Sequence, residues 1–214
     1  MLNVKKFIFN PFQENTYIIS DDTKECAIID CGAFDDNERS EIKKYIADND
    51  LDPVRLICTH AHFDHCVGVD FIHVEYGLHA EVSEKDNYLV SKLPQQAMAF
   101  LGIDYNKDFT KIFNNFKIEN DIYFGSHSLK ILETPGHSKG SVTFYCEEGK
   151  TAFTGDTLFR MGMGRTDLGG GSMTDIMNSL RNVLGKLPKE TVVMSGHGGN
   201  TTIGYELAMN PYLM

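Results

Sequence analysis

The chain has 214 residues, of which 42% are hydrophobic, and this length and apolar content suit one globular domain with a substantial core. The formal net charge is −10, which argues against the basic surface that nucleic acid binding requires. No apolar run approaches the ~20 residues of a membrane-spanning helix, so we expect neither nucleic acid nor membrane as a partner.

The cysteines and the N-terminus bear on the cellular compartment. The five cysteines form an odd number without disulfide-scaffold spacing, and no CxxC pair suggests a zinc ribbon. The first six residues lack the basic segment and apolar stretch of a signal peptide. We therefore expect reduced thiols and a cytoplasmic location, and the sequence leaves the oligomeric state open.

The first half of the chain mixes strand and helix patterns, which predicts an α/β or α+β layered fold. Apolar runs predict strands at 4–10, 16–20, 26–30 and 54–58. Between the last two, Asp35 followed by Glu38 resembles a capping box, and it precedes a helix. The apolar face of that helix is formed by Ile42, Tyr45 and Ile46. Residues 66–102 are predicted to be mostly helical, and residues 103–116 to be a loop or lid.

The second half is predicted to be richer in strands. They are expected at 121–124, 129–133, 141–146, 151–154 and 191–194. The strongest helical pattern covers 173–184, where Ser172 is a candidate N-cap. The chain shows no repeat and no linker, so a single domain over residues 1–214 is the simplest organisation.

A dense set of metal ligands follows the strand at 54–58. It reads Thr59-His60-Ala61-His62-Phe63-Asp64-His65. Because side chains alternate in an extended stretch, His60 and His62 point to one side. Asp64 and His65 follow them and can face a second metal position. Imidazole and carboxylate ligands suit zinc, iron or manganese better than calcium or magnesium.

Three further candidate ligands also follow strands. His137, Asp156 and His197 each come just after an apolar run and have glycine beside them. Glycine allows a sharp turn and a close backbone approach to a ligand. Together with the four residues above, seven candidate ligands follow four strand ends, which is enough for two adjacent ions.

These motifs resemble those of the metallo-β-lactamase superfamily, from Asp30 through His197. The resemblance implies an α+β fold, a four-layer αβ/βα sandwich with metals at one edge. It also implies a ligand set of two sites with a bridge. Metal one would be held by His60, His62 and His137, metal two by Asp64, His65 and His197, and both by Asp156.

Within that superfamily the chain is most similar to glyoxalase II-like thioester hydrolases of a short bacterial branch. The similarity lies in Gly155-Asp156-Thr157-Leu158-Phe159, Gly164-Arg165-Thr166-Asp167, Thr202-Ile203-Gly204-Tyr205-Glu206 and Asn210-Pro211. Longer glyoxalase II enzymes carry a C-terminal helical region that helps to bind glutathione, whereas only 17 residues follow His197 here.

The resemblance implies a small-molecule substrate and two divalent ions, with zinc favoured and iron or manganese acceptable. The ions would share a bridging water beside Asp64 and Asp156, the expected catalytic carboxylates, and zinc can lower the pKa of water from ~15.7 to about 7. A thioester such as S-lactoylglutathione is the expected substrate. Arg165 or Lys139 could contact a substrate carboxylate, although Arg165 could instead pair with Asp167 and shape its loop.

Other functions share parts of this motif set. A mononuclear iron persulfide dioxygenase resembles the chain in the same motifs and uses only the first-site ligands with Asp156. A lactonase or β-lactamase is a third hypothesis, although dizinc lactamases replace the residue equivalent to Asp64. A nuclease of the superfamily is disfavoured by the charge of −10, and a non-enzymatic role by the intact ligand set.

Overall fold

The structure, a computed structural model, describes residues 1–105 and 108–214. These residues group into two compact units, the first formed by 1–116 with 124–126 and the second by 117–123 with 127–214. Within the described residues, the strands form two six-stranded sheets and one small hairpin. No helix in this part of the chain is long and apolar enough to span a membrane.

The first sheet has its six strands in chain order. They are β1 (Asn3–Phe9), β2 (Glu14–Ser20), β3 (Glu25–Ile29), β4 (Asp52–Ile57), β5 (Ala80–Val82) and β6 (Phe113–Asn115). Strands β1 to β3 pair antiparallel, and β3 to β6 pair parallel. The helices of this unit are α1 (Asp36–Asp48), α2 (Phe63–Cys66), α3 (Val69–Tyr76), α4 (Asn87–Val90) and α5 (Leu93–Leu101).

Helix α1 begins where the capping pattern predicts. The Asp35 side chain accepts hydrogen bonds from the backbone N–H groups of Asn37 and Glu38, which satisfies two donors that the helix itself leaves without partners. Ile42 and Ile46 on its inner face are buried in the core of the unit. Local sequence alone therefore fixes both the start of this helix and the face that it buries.

The prediction that residues 66–102 are mostly helical is confirmed by α3, α4 and α5, but it missed one strand. Strand β5 separates α3 from α4 and completes the parallel sheet between β4 and β6. Three residues are too few to show a strand pattern, and only pairing with distant strands makes this segment extended. Likewise, β6 and a 3₁₀ turn at Phe109–Lys111 lie within the predicted loop 103–116. Residues 106–107 of that predicted loop lie outside the described part.

The second sheet has the strand order β14-β13-β10-β9-β8-β7. Its strands are β7 (Ile122–Phe124), β8 (His127–Glu133), β9 (Val142–Cys146), β10 (Thr151–Gly155), β13 (Val192–Ser195) and β14 (Thr201–Thr202). The hairpin joins β11 (Leu158–Phe159) to β12 (Gly162–Met163). Two α-helices, α6 (Met173–Asn178) and α7 (Ile203–Met209), belong to this unit.

The helix predicted at 173–184 is helical throughout but not uniformly α. Ser172 caps α6 by accepting a hydrogen bond from Asp175 N, as predicted. The chain then continues as a π-helical turn at Ser179–Val183 and a 3₁₀ turn at Leu184–Lys186. Apolar spacing identified the buried side chains Ile176, Leu180 and Leu184, but it does not specify which carbonyl accepts each backbone hydrogen bond.

The strand directions place the loops that follow β8, β10 and β13 at one edge of the second sheet. Strand β9 is antiparallel to both β8 and β10, and β10 is parallel to β13. Therefore β8, β10 and β13 run in the same direction, and the loops after them leave the sheet at the same edge. In the first sheet, β3 and β4 are parallel and share an edge in the same way.

The loop after β10 depends on a glycine with no room for a side chain. A Cβ at Gly164 would lie 1.8 Å from the carbonyl oxygen of Asp156, whereas a Cβ at Gly162 would meet only the Phe159 Cβ, at 3.8 Å. We predict that Gly164→Ala lowers the free energy of unfolding by about 2 kcal/mol or more, because backbone must move. The matched Gly162→Ala change should cost less than about 1 kcal/mol. Urea unfolding measures both, and equal costs would contradict the prediction.

Candidate metal centre

The histidine-rich motif of the first unit lies just beyond β4. This strand ends at Ile57, and His62 immediately precedes α2, whose first turn carries Asp64 and His65. The His60 ring lies 4.8 Å from that of His62 and 4.2 Å from that of His65, measured between centroids. Asp64 Oδ2 lies 3.7 Å from His65 Nε2. The structure therefore brings these four predicted ligands together within one unit.

Asp30 fixes the orientation of the histidines around it. Its Oδ2 lies 2.9 Å from His65 Nδ1 and accepts a hydrogen bond of 2.8 Å from Thr59 Oγ1. A carboxylate is an acceptor, so Nδ1 of His65 carries the proton and the lone pair stays on Nε2. Since the Thr59 hydroxyl donates to Asp30, it accepts from His60 Nδ1 at 3.1 Å, which assigns the same tautomer to His60.

Two buried acids near His65 were not among the predicted site residues. Asp30 directly follows β3 and has a left-handed φ of 55°, which is strained for a residue other than glycine. Glu14 is fully buried at the start of β2, with Oε1 3.9 Å from His65 Nδ1, and burial raises its pKa well above the usual range. A signal for Asp30 was available, because it follows a strand just as the predicted ligands do.

Residues from the segment 83–116, whose role the sequence left open, hold the backbone of the ligand motif. Asp86 Oδ2 accepts a 3.1 Å hydrogen bond from Ala61 N, and Gln96 Oε1 accepts one of 3.1 Å from Phe63 N. The Gln96 amide group also donates to Leu89 O at 3.1 Å. The backbone N–H groups of both neighbours of His62 are therefore held by side chains more than twenty residues away.

The second unit assembles three predicted ligands at the shared edge of its sheet. His137 follows β8, Asp156 follows β10 and His197 follows β13. Asp156 Oδ2 lies 3.5 Å from the Nε2 atoms of both histidines. Ligand atoms at ~2.1 Å from a tetrahedral zinc ion are about 3.4 Å apart, so Asp156 is at a suitable distance to share an ion with either histidine.

Backbone and ring contacts orient the two histidines of this unit. His137 Nδ1 lies 2.8 Å from the carbonyl oxygen of Arg165, which can only accept, so the lone pair of His137 is on Nε2. The Phe159 ring packs edge-on against His197, with centroids 6.2 Å apart. Nε2 is therefore the nitrogen that His137 offers to a ligand.

The side chain of Arg165 forms a two-bond fork with Asp167. Its Nε and Nη2 donate to the two carboxylate oxygens at 2.7 Å each, and these bonds lower the pKa of Asp167 to about 2. This geometry matches the loop-shaping alternative for Arg165. Lys139, the other predicted substrate contact, is exposed in the loop between His137 and β9, and its substrate role stays a prediction.

The cysteines near the motif behave as buried apolar groups. Cys31, Cys58 and Cys66 are completely buried, and burial raises the pKa of the Cys31 and Cys66 thiols well above the usual range. A neutral thiol is a poor metal ligand, because the thiolate is the form that coordinates. The histidines and carboxylates remain the candidate donors.

Comparison with known proteins agrees with this chemistry. The model of the metallo-β-lactamase superfamily matches residues 9–197. Hydroxyacylglutathione hydrolase GloC of Haemophilus influenzae is 36% identical over 99% of this chain and 98% of its own. The probable metallo-hydrolase YqgX of Bacillus subtilis is 35% identical over 95% of this chain and 93% of its own.

Solved structures agree on the fold. The crystal structure of BLEG-1 B3 metallo-β-lactamase has a TM-score of 0.88 and 31% identity, covering 99% of this chain and all of that one. The di-iron-bound form of TTHA1623 has a TM-score of 0.85 and 33% identity, covering 98% and 100%. The predicted α+β metallo-β-lactamase fold is confirmed, and the chain belongs to the metallo-β-lactamase superfamily of metallo-hydrolases.

Proposed function

We propose that this chain is a dinuclear metal-dependent hydrolase of thioesters, similar to glyoxalase II, with S-lactoylglutathione as the type of substrate. The observation that supports this proposal is the hydrogen bonding of the histidine rings in both units. In each, a segment that follows a strand presents an imidazole whose Nδ1 is bonded to an acceptor, so that Nε2 is available as a ligand. The name of the GloC relative supports the thioester class.

The proposed ligand assignment follows the family resemblance. One ion would be held by His60, His62 and His137, a second by Asp64, His65 and His197, and Asp156 would bridge them. Neutral imidazole and carboxylate donors suit zinc, and they also accept iron or manganese. The di-iron-bound form of the 33% identical TTHA1623 supports iron as the alternative to zinc.

The reaction would need little acid–base help from the protein. When bound, the divalent ions would supply a water of lowered pKa and polarise the thioester carbonyl. The carboxylates of Asp64 and Asp156 would accept hydrogen bonds from that water and orient it toward the carbonyl carbon. As the carbon–oxygen bond forms and the carbon–sulfur bond breaks, the thiol leaves as a thiolate. A thiol pKa of about 8.5 makes this departure possible without a general acid.

Replacing His62 should remove metal without unfolding the chain. We predict that His62→Ala lowers the metal content by at least one ion per chain and reduces thioester hydrolysis to background, while the chain stays folded by circular dichroism. The exposed His79 lies outside the motif, so His79→Ala is the control and should keep metal and activity. Elemental analysis and hydrolysis of S-lactoylglutathione, with and without chelator, provide the measurements. Full activity of His62→Ala would refute the ligand assignment.

Asp64 distinguishes the hydrolase from a persulfide dioxygenase. We expect Asp64→Ala to lose the second ion and most hydrolysis, because Asp64 is assigned to the second site. In a mononuclear iron dioxygenase the change would be milder, and the wild-type protein would bind one iron per chain and consume oxygen with glutathione persulfide. The BLEG-1 likeness makes a β-lactam the control substrate, and faster turnover of the lactam than of the thioester would contradict the proposal.

The orienting role of Asp30 can be measured by metal affinity. We predict that Asp30→Asn weakens metal binding about 10- to 100-fold, since an amide can present its NH₂ group to His65 Nδ1 and disturb the tautomer. Competition with a chromogenic chelator measures the affinity. Replacing the exposed Asp36, which lies outside the site, by Asn should leave affinity unchanged. Equal affinities of wild type and Asp30→Asn would show that Asp30 does not orient the ligands.

A further inference from the structure

The C-terminal motif 202–206, with Asn210, has a structural role that the proposed chemistry does not explain. Glu206 is fully buried, and its carboxylate accepts hydrogen bonds from Met161 N at 2.9 Å and Thr201 Oγ1 at 2.5 Å. Asn210 donates to Glu206 Oε2 at 2.8 Å and to Gly162 O at 3.0 Å. These bonds tie the hairpin after Asp156 to the segment after His197.

A surface pocket of about 330 Å³ lies where these two segments meet. It is lined by Arg160, Asn200, Thr201, Thr202 and Tyr205, and we call it the Arg160 pocket. The Arg160 guanidinium lies over the exposed Tyr205 ring, 5.6 Å from its centroid. This cation–π contact does not use the guanidinium N–H groups, which can therefore face a planar anion.

The lining of the Arg160 pocket carries one positive charge. Its lining contains one arginine, polar amide and hydroxyl groups, and no acid. Among residues 1–105 and 108–214, no carboxylate forms an ion pair with Arg160, whereas Arg165 a few residues on is engaged by Asp167. Arg160 is thus the arginine of this loop that can offer its paired N–H groups to an external carboxylate.

The pocket is close to the ligands of the second unit. Arg160 is four residues after Asp156, and Asn200 is three residues after His197. An extended chain spans at most ~3.5 Å per residue, so the two Cα–Cα separations are below about 14 Å and 11 Å. Phe159, next to Arg160, contacts the His197 ring. A peptide-sized thiol can bridge such a distance.

From this geometry we propose that the Arg160 pocket binds a carboxylate on the thiol part of the substrate, an inference that rests on the proposed thioesterase function. The guanidinium would bind both carboxylate oxygens, and the Asn200 amide and the Thr202 hydroxyl would donate to them, since the Thr201 hydroxyl already donates to Glu206. A dianionic phosphate, as in coenzyme A thioesters, is less suited, because the pocket lining supplies only one positive charge. Specificity would therefore lie in the leaving thiol rather than in the acyl group.

The kinetic test compares two substrates and three variants of the metal-loaded protein. The substrates are S-lactoylglutathione and its dimethyl ester, in which both carboxylates are neutral. We expect Arg160→Gln to raise KM for S-lactoylglutathione about tenfold while kcat stays within twofold, and to leave hydrolysis of the ester unchanged. Lys186→Gln makes the same charge change at an exposed site outside the pocket, and it should behave as wild type. Arg160→Lys should recover part of the loss.

A binding measurement keeps this proposal separate from the proposed function. S-methylglutathione has both carboxylates but cannot be hydrolysed, and its affinity is measured by calorimetry for the wild type and both glutamine variants. Loss of affinity in Arg160→Gln alone supports the pocket even if no thioester is hydrolysed, an outcome that would refute only the function. Equal affinity and equal KM in all three proteins would overturn the pocket. A tenfold KM effect of Arg160→Gln on acetyl-coenzyme A, without one on S-lactoylglutathione, would overturn the choice of a carboxylate.

Discussion

The hydrogen bonds to the Asp30 carboxylate are the interaction on which the histidine-rich motif at residues 59–65 depends. It accepts hydrogen bonds from the Thr59 backbone, the Thr59 hydroxyl and His65 Nδ1, and thereby connects the ends of β3 and β4 to α2. Each bond satisfies a buried donor that would otherwise cost about 1–3 kcal/mol. The left-handed φ of 55° at Asp30 is maintained because these bonds require the carboxylate at that place.

In the second unit a backbone carbonyl, rather than a carboxylate, orients the predicted histidine ligand. The carbonyl oxygen of Arg165 accepts from His137 Nδ1, and the fork between Arg165 and Asp167 stabilises the loop that presents this carbonyl. Gly164 permits the loop to pass against the carbonyl oxygen of Asp156. One turn therefore contacts two predicted ligands, His137 and Asp156, so we expect a change at residues 164–167 to affect both.

Sequence predicted this architecture best where information is local. The strand ends that carry His60, His137, Asp156 and His197, the cap at Asp35 and the buried face of α6 all follow from short patterns. It missed structure that depends on pairing between strands far apart in the chain. An example is β5, whose three residues have no strand pattern of their own. It also failed for supporting side chains. Asp86 and Gln96 accept hydrogen bonds from Ala61 N and Phe63 N, more than twenty positions away in the chain. No local sequence spacing predicts such bonds.

Overall acidity does not determine which ligands this chain can attract. The net charge of −10 is spread over the surface, and exposed charges more than ~10 Å apart are largely screened at ordinary ionic strength. A single arginine beside the ligand-bearing loops acts at much shorter range. The backbone next to it is held by the buried Glu206, whose carboxylate accepts hydrogen bonds from Met161 N, Thr201 Oγ1 and Asn210 Nδ2. Under the proposed function, chemistry and recognition are separated in this unit: His137, Asp156 and His197 lie at the sheet edge, while the segments tied by Glu206 supply a polar surface that would select the substrate.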